Sequence, residues 1–286
     1  MTTLFRKALL KADEVRMQLG LNMFQPLNIF DSCITLGLSV RFVDINMEGM
    51  YIRQKDETHP TILMSNQRPL PRRCFTCAHE LGHHVFNHGI KLDVLMDEEF
   101  HSASNESDEL LVDSFAGALL MPIAGIQAEF AKRNWSPQKA SAIQFYTICS
   151  AFGTGYKTLI VHCRANKIIT EQKASDLLKS TPAKILKSFS QPNTHNAYFK
   201  IIDSHSHLST IDLEVANYII LPPSTRIEGD HLKKYIETPI GTVHIAVKPG
   251  IVRAASPDES IGSFIRVQNT GYIGLAENRH LENETD

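Results

Sequence analysis

The sequence has almost no excess of charge: 29 Lys and Arg stand against 31 Asp and Glu, a formal net charge of −2. Such a chain carries no global basic field, so composition gives no pointer to nucleic acid. Cysteine is sparse. The five present (Cys33, Cys74, Cys77, Cys149 and Cys163) are odd in number and widely scattered. That argues against a disulfide framework and suits reduced thiols in a cytoplasm. No apolar run approaches bilayer length, so no membrane span is expected. The first eleven residues, Met1 to Lys11, are too charged and too short in their apolar run for a signal peptide. The expected setting is cytoplasmic; oligomeric state has no signature here.

What is present begins with size: 286 residues, 43% of them hydrophobic, can fill a sizeable core and suggest more than one domain. The most informative stretch is Phe75-Thr76-Cys77-Ala78-His79-Glu80-Leu81-Gly82-His83-His84-Val85-Phe86-Asn87-His88. Its His-Glu-x-x-His core sits in a run that reads as helix. Histidines four apart lie one turn apart on one face, so His79 and His83 can both reach one metal ion. Glu80 follows His79 by about 100° of rotation. That places it to act as general base on water activated by a bound zinc ion. By the same rotation Thr76, His79, Glu80 and His83 share a face, while Cys74, Cys77, Ala78, Leu81 and Val85 face a core. An apolar back face argues against a chance match on a solvated helix.

Catalytic zinc usually takes three protein ligands and leaves one position open. The third is sought in the next helix, which starts near Ser104 or Asn105, at capping residues, and stops at Pro122. Glu109 follows His83 by 26 residues, a spacing that allows a second helix to return antiparallel to the first. Asp113 lies one turn further on, placed to accept the second ring N–H of a histidine ligand, His79 above all. Glu106 and Asp108 are rival ligands, ranked lower because they precede the strongest helical pattern. A metzincin would need Gly at 86 and His at 89; the chain has Phe86 and Gly89, so that class is rejected.

Around these helices the expected fold class is α+β. The pattern gives a helix over 4–19, a second ending near Leu36-Gly37, and a small antiparallel sheet from strands at 39–43, 49–53 and 61–64. In such a core an edge strand can hold substrate backbone by strand addition. Residues 90–104, with Asp97-Glu98-Glu99, read as a solvated loop. Residues 137–185 read as a helical, helix-turn-helix-like segment, with helices at 141–152 and 156–166 about the turn Gly153-Thr154-Gly155. Its second helix offers only Lys157, His162, Arg164 and Lys167 as basic groups. That is thin for phosphate contacts, so direct DNA binding is not expected. Residues 186–286 read as a β-rich domain, a candidate sensor or substrate-binding region. Strands are expected at 218–221, 242–247, 264–267 and 271–274, one helix near 229–236, and a frayed tail from Ala276. The peptidase-like domain would then be 1–136.

The motifs go further than the pentapeptide. The chain has Ile62-Leu63-Met64-Ser65-Asn66, Arg73, Phe75-Thr76-Cys77-Ala78-His79-Glu80-Leu81-Gly82-His83, and Glu109-x-x-x-Asp113-Ser114-Phe115-Ala116-Gly117-Ala118-Leu119-Leu120-Met121-Pro122. Over roughly residues 25–180 it resembles the ImmA/IrrE family of metallopeptidases. It departs from that pattern at Val112, where the family usually has Ala, and in the long acidic segment 90–104. The resemblance implies a zincin-like core with zinc, or manganese in its place, on His79, His83 and Glu109, and a general base at Glu80. It further implies a protein substrate, a helix-turn-helix transcriptional repressor, cleaved to relieve repression in stress responses, mobile elements or toxin–antitoxin-like pairs.

Smaller signals remain. Tyr51, Arg73, His84 and His101 are candidates to stabilise an oxyanion, and His88 extends the motif. Cys74-x-x-Cys77 reads as buried core rather than a redox pair. His205-x-His207 beside Asp203 reads as a polar loop.

Overall fold

A computed structural model describes residues 3–53, 59–88, 91–93, 103–189, 198–206, 208–257 and 262–281. The chain divides into two compact units, residues 1–126 with 271–278, and residues 127–270 with 279–286. This differs from the three-part reading of the sequence. The helices of 137–185 group with the β-rich segment, and residues 271–278 return to the first unit.

The first unit opens with helices α1 (Thr3–Gln18) and α2 (Ile29–Thr35), followed by strands β1 (Ser39–Val43), β2 (Gly49–Ile52) and β3 (Thr61–Ser65). Helix α3 (Leu70–Val85), strand β4 (Lys91–Asp93) and helix α4 (Ala103–Leu120) come next, and α5 (Ile123–Ala131) leads out. The five-stranded sheet has the order Gly274–Leu275 strand, β1, β3, β2, β4. It is not wholly antiparallel as expected, because β1 and β3 pair in parallel. The β2–β3 hairpin is local and antiparallel. β1 then takes the far side of β3, and nothing in a strand's own periodicity records that choice.

Strand β4 falls inside the segment expected to be loop and pairs antiparallel with β2. Helix α5 was not anticipated beyond Pro122. The sequence reading found no apolar run long enough for a membrane, yet Glu106–Ala131 passes that test by length and composition. Its apolar window is 67% buried, as the core helix of a folded unit would be.

Helix α4 is held at its C-terminal end and along its middle. Arg16 of α1, itself buried, donates from Nη1 to the Leu119 carbonyl at 2.7 Å. A cation at that end suits the helix dipole. Against α3 the two helices approach closely: a Cβ on Gly82 would stand 2.9 Å from Val112 Cβ and 3.2 Å from Phe115 Cδ1. Glycine at 82 is what allows this spacing.

The second unit combines two four-stranded sheets with helices α6 (Ala142–Phe152), α7 (Tyr156–Ala165), α8 (Glu171–Leu178) and α9 (Pro182–Lys187). Its strands are β5 (Phe199–Ile201), β6 (Thr210–Glu214), β7 (Tyr218–Leu221), β8 (Arg226–Glu228), β9 (Leu232–Thr238), β10 (Gly241–Ala246), β11 (Gly250–Ala255) and β12 (Gly262–Gln268). The sheet orders are β5-β7-β10-β9 and β6-β12-β11-β8. Ile219 and Leu221 of one sheet share a core with Leu213, Val252, Ile265 and Val267 of the other. Both sheets contain a parallel pair, β5 with β7 and β6 with β12, so the antiparallel domain expected here is also a mixed one.

Helix α6 is buried throughout 145–152. Tyr146 stacks on Phe199 with ring centroids 3.9 Å apart and donates to the Phe199 carbonyl at 2.8 Å. The first helix of the helix-turn-helix-like pair is thus packed on β5. Two expectations are corrected in this region. Residues 229–236 are not a helix: β9 begins at Leu232 and pairs antiparallel with β10. The strand expected at 271–274 is only Gly274–Leu275, and it joins β1 of the first unit. Nor does the tail fray at Ala276; Ala276–Asn278 form a 3-10 turn, and Ala276 and Arg279 are buried.

Candidate metal centre

Helix α3 begins with Leu70-Pro71, where a missing N–H costs nothing because the first turn has no internal acceptor. Every residue from Thr76 to His83 is buried, so the polar face is covered as well as the apolar one. Helix α4 covers it on one side and β2 on the other. A Cβ on Gly49 of β2 would stand 2.8 Å from Thr76 Cγ2 and 3.4 Å from Glu80 Cγ. The backbone of β2 therefore lies against Glu80, whose carboxylate is wholly buried.

His79, His83 and Glu109 come together. His79 Nε2 lies 3.1 Å from Glu109 Oε2, His83 Nε2 lies 3.7 Å from the same oxygen, and the two Nε2 atoms are 3.1 Å apart. Among the described residues this is the group of three His, Cys, Asp or Glu side chains that could hold a metal ion. With ligand bonds of about 2.1 Å, the edges of a tetrahedron around zinc are about 3.4 Å. The three separations bracket that value.

The donor set fits as well. His79 Nδ1 donates to Asp113 Oδ1 at 2.9 Å, which turns its Nε2 lone pair inward. Burial alone would lower the pKa of His79, but its bonds to Asp113 and Glu109 outweigh burial and push it up to about 10. Hydrogen bonds from His79 and His83 hold Glu109 far below the ordinary carboxylate range.

The oxyanion candidates are placed differently. Tyr51 is buried, with its hydroxyl 2.8 Å from His84 Nδ1. Burial and nearby Arg53 lower the His84 pKa, which favours its neutral ring. Arg73 is buried in the packing of α3 on the sheet, its guanidinium 5.3 Å above the Phe42 ring. His101 lies outside the described residues, as does His207. His205 is exposed, and its backbone N–H donates to Asp203. Cys77 is buried with its sulfur 3.7 Å from that of Cys33, while Cys74 is half-buried. Of the rival ligands, Asp108 approaches His88 Nε2 at 3.7 Å. That contact was not anticipated; its one sequence signal is an Asn directly before His88 at the end of a helix.

Comparison with curated proteins returns no match. The family model for the IrrE N-terminal-like domain of peptidase family M78 matches residues 33–162. This span holds β1 to β4, both site helices and the whole histidine–carboxylate cluster. Over residues 33–162 the chain is similar to the IrrE N-terminal-like domain of the M78 peptidases.

Proposed function

We propose that the protein is a zinc-dependent endopeptidase that cleaves a protein, a helix-turn-helix transcriptional repressor, in a cytoplasmic setting. The observation that carries this reading is the convergence of His79 Nε2, His83 Nε2 and Glu109 Oε2 within 3.7 Å of one another. These atoms would hold the ion, with manganese as the alternative metal. A divalent ion there supplies Lewis acidity, polarising a peptide carbonyl and making water a stronger acid.

The chain's own groups do the rest. The Glu80 carboxylate takes a proton from water as its oxygen attacks the scissile carbonyl carbon. It then gives that proton to the amide nitrogen as the C–N bond breaks. Burial of Glu80 between α3 and β2 keeps bulk water from competing for that proton. Asp113 fixes the ring of His79 through Nδ1. Tyr51, whose hydroxyl lies 2.8 Å from His84 Nδ1, is the candidate donor to the developing oxyanion. Extended substrate backbone would add at the sheet edge beyond β2, which in this structure is β4.

The repressor comes from the family resemblance. The test is incubation of the zinc-loaded chain with a helix-turn-helix repressor encoded beside its gene, with fragments read by mass spectrometry. Cleavage should fall by about 10²–10⁴ in Glu80→Gln, the range of a lost general base, with zinc content unchanged. Undiminished cleavage by that variant would remove the mechanism. Tight binding without cleavage by the intact protein would identify a metal-site binding module instead.

A further inference from the structure

The two histidines have different outer partners. His79 meets a carboxylate directly, but His83 Nδ1 lies 3.2 Å from His88 Nδ1, their ring centroids 5.3 Å apart. His88 Nε2 in turn faces Asp108 Oδ1 at 3.7 Å.

The local backbone explains why His88 lies there. Helix α3 ends in a Schellman cap: Asn87 N–H donates to the His84 carbonyl at 3.1 Å and His88 N–H to the His83 carbonyl at 3.0 Å. Asn87 has φ of 57°, a left-handed conformation that Asn tolerates better than most residues. The cap folds the chain back so that residue 88 lies over residue 83. Phe86 stacks on the His88 ring at 5.7 Å and 22°, and the His88 side chain is only 11% exposed.

Tautomers follow from connectivity. If His83 uses Nε2 as a ligand atom, its Nδ1 carries the proton and donates. His88 Nδ1 must then accept, so the His88 proton sits on Nε2, the nitrogen facing Asp108. A ring with its proton on Nδ1 would put two donors 3.2 Å apart. The first link requires the second, and Asp108 is the carboxylate that faces the protonated nitrogen, at 3.7 Å.

We propose that His88, folded back by Asn87 and faced by Asp108, is the positioning residue of His83, fixing the tautomer and ring angle that aim His83 Nε2 at the metal. This rests on the reading of His79, His83 and Glu109 as a metal centre. Helix α4 would then supply three carboxylates: Glu109 to the ion, Asp113 behind His79, and Asp108 behind His88. Loss of such outer partners typically costs about 10–100-fold in metal affinity.

The experiment uses the full chain, ¹⁵N-labelled at histidine and loaded with zinc, with ring tautomers read by NMR. Zinc affinity is measured in parallel by chelator competition. The expected tautomers are His83 protonated on Nδ1 and His88 on Nε2. His88→Leu should bind zinc about 10–100-fold more weakly. His88→Asn, which keeps an acceptor near the former Nδ1, should recover most of the loss. Asn87→Gly should bind as the parent does, whereas Asn87→Val, strained at positive φ, should behave like His88→Leu.

A proton found on His88 Nδ1, or parent-like zinc affinity in His88→Leu, would overturn the proposal while leaving the metal centre intact. A parent protein that bound no zinc would sink the metal centre itself, and this inference with it. The tautomer measurement needs no variant, so a poorly folding substitution leaves the test decisive.

Discussion

Both units engage carboxylates at or near their cores, and they do so to opposite ends. In the second, Asp212 accepts from Arg266 Nε at 2.6 Å and from Arg279 Nη2 at 2.8 Å. Asp203 likewise takes Arg133 Nε and Nη2, while Arg133 Nη1 reaches Glu129. These carboxylate oxygens meet guanidinium protons, so charge is neutralised within the chain. In the first unit, Glu109 and two imidazole nitrogens are aimed at one another instead. With both Nδ1 atoms engaged outward, three lone-pair atoms converge, an arrangement that stabilises the fold only when a cation or proton is added. Burial alone therefore does not separate structural charge from chemical charge. The separation lies in whether the donors are already present.

The sharpest way to break the contrast is at Asp212. Asp212→Ala leaves two buried arginines without their carboxylate and should cost about 3–5 kcal/mol of stability. Zinc affinity of the first unit should be untouched, as denaturant titration beside chelator competition would show. The converse substitution, Glu109→Ala, removes a proposed ligand. It should weaken zinc by more than about 100-fold, the upper end for loss of an outer partner, with little change in the second unit's hydrogen-exchange protection.

Spacing between the helices comes next. Gly82→Ala would press a methyl group into Val112 and Phe115. It should cost about 1–3 kcal/mol by overpacking and move Glu109 off the histidines, weakening zinc. Adding Val112→Ala should restore most of both, because the offending atoms belong to Val112.

In pH, the two units should respond at opposite ends of the scale. In the metal-free protein His79 is pushed up to about 10 from an ordinary 6.5. Its contribution is complete below pH 6.5 and is lost as pH rises through about 10. Zinc bound as proposed would displace that proton, so the alkaline loss should vanish in the loaded protein. Zinc affinity should also rise by about tenfold per pH unit below 10. Asp212 is held well below its ordinary 3.8: burial opposes ionisation, but the charges of Arg279 and Arg266 outweigh it. Its contribution is present above pH 3.8 and is lost as pH falls through the depressed value. Hydrogen exchange at high and low pH would locate each loss in its unit.

The site helices were legible because their chemistry follows helical spacing. His79 and His83 are one turn apart, Glu109 and Asp113 are one turn apart, and the bond from His79 to Asp113 is the one the spacing suggests. The full burial of α3 was not legible, since it depends on β2 and α4 covering the polar face. Leu232, Tyr235 and Ile236 fall at helical intervals, which is why 229–236 reads as helix. Pairing with β10, with a register shift at Val243 and His244, overrides that local pattern. Strand β4 has three residues, too few to show alternation. The His83–His88 contact depends on a backbone reversal at Asn87, which no hydrophobic period encodes.

The edge of β1 pairs with Gly274–Leu275, as Arg41 faces Leu275 and Phe42 faces Gly274. On the ribosome this edge must wait until both sheets of the second unit have been translated. A nascent chain thus holds a histidine-bearing helix on an unfinished sheet through most of its synthesis, its exposed strand a template for stray partners. An excised fragment ending at residue 162 would keep that unfinished state permanently.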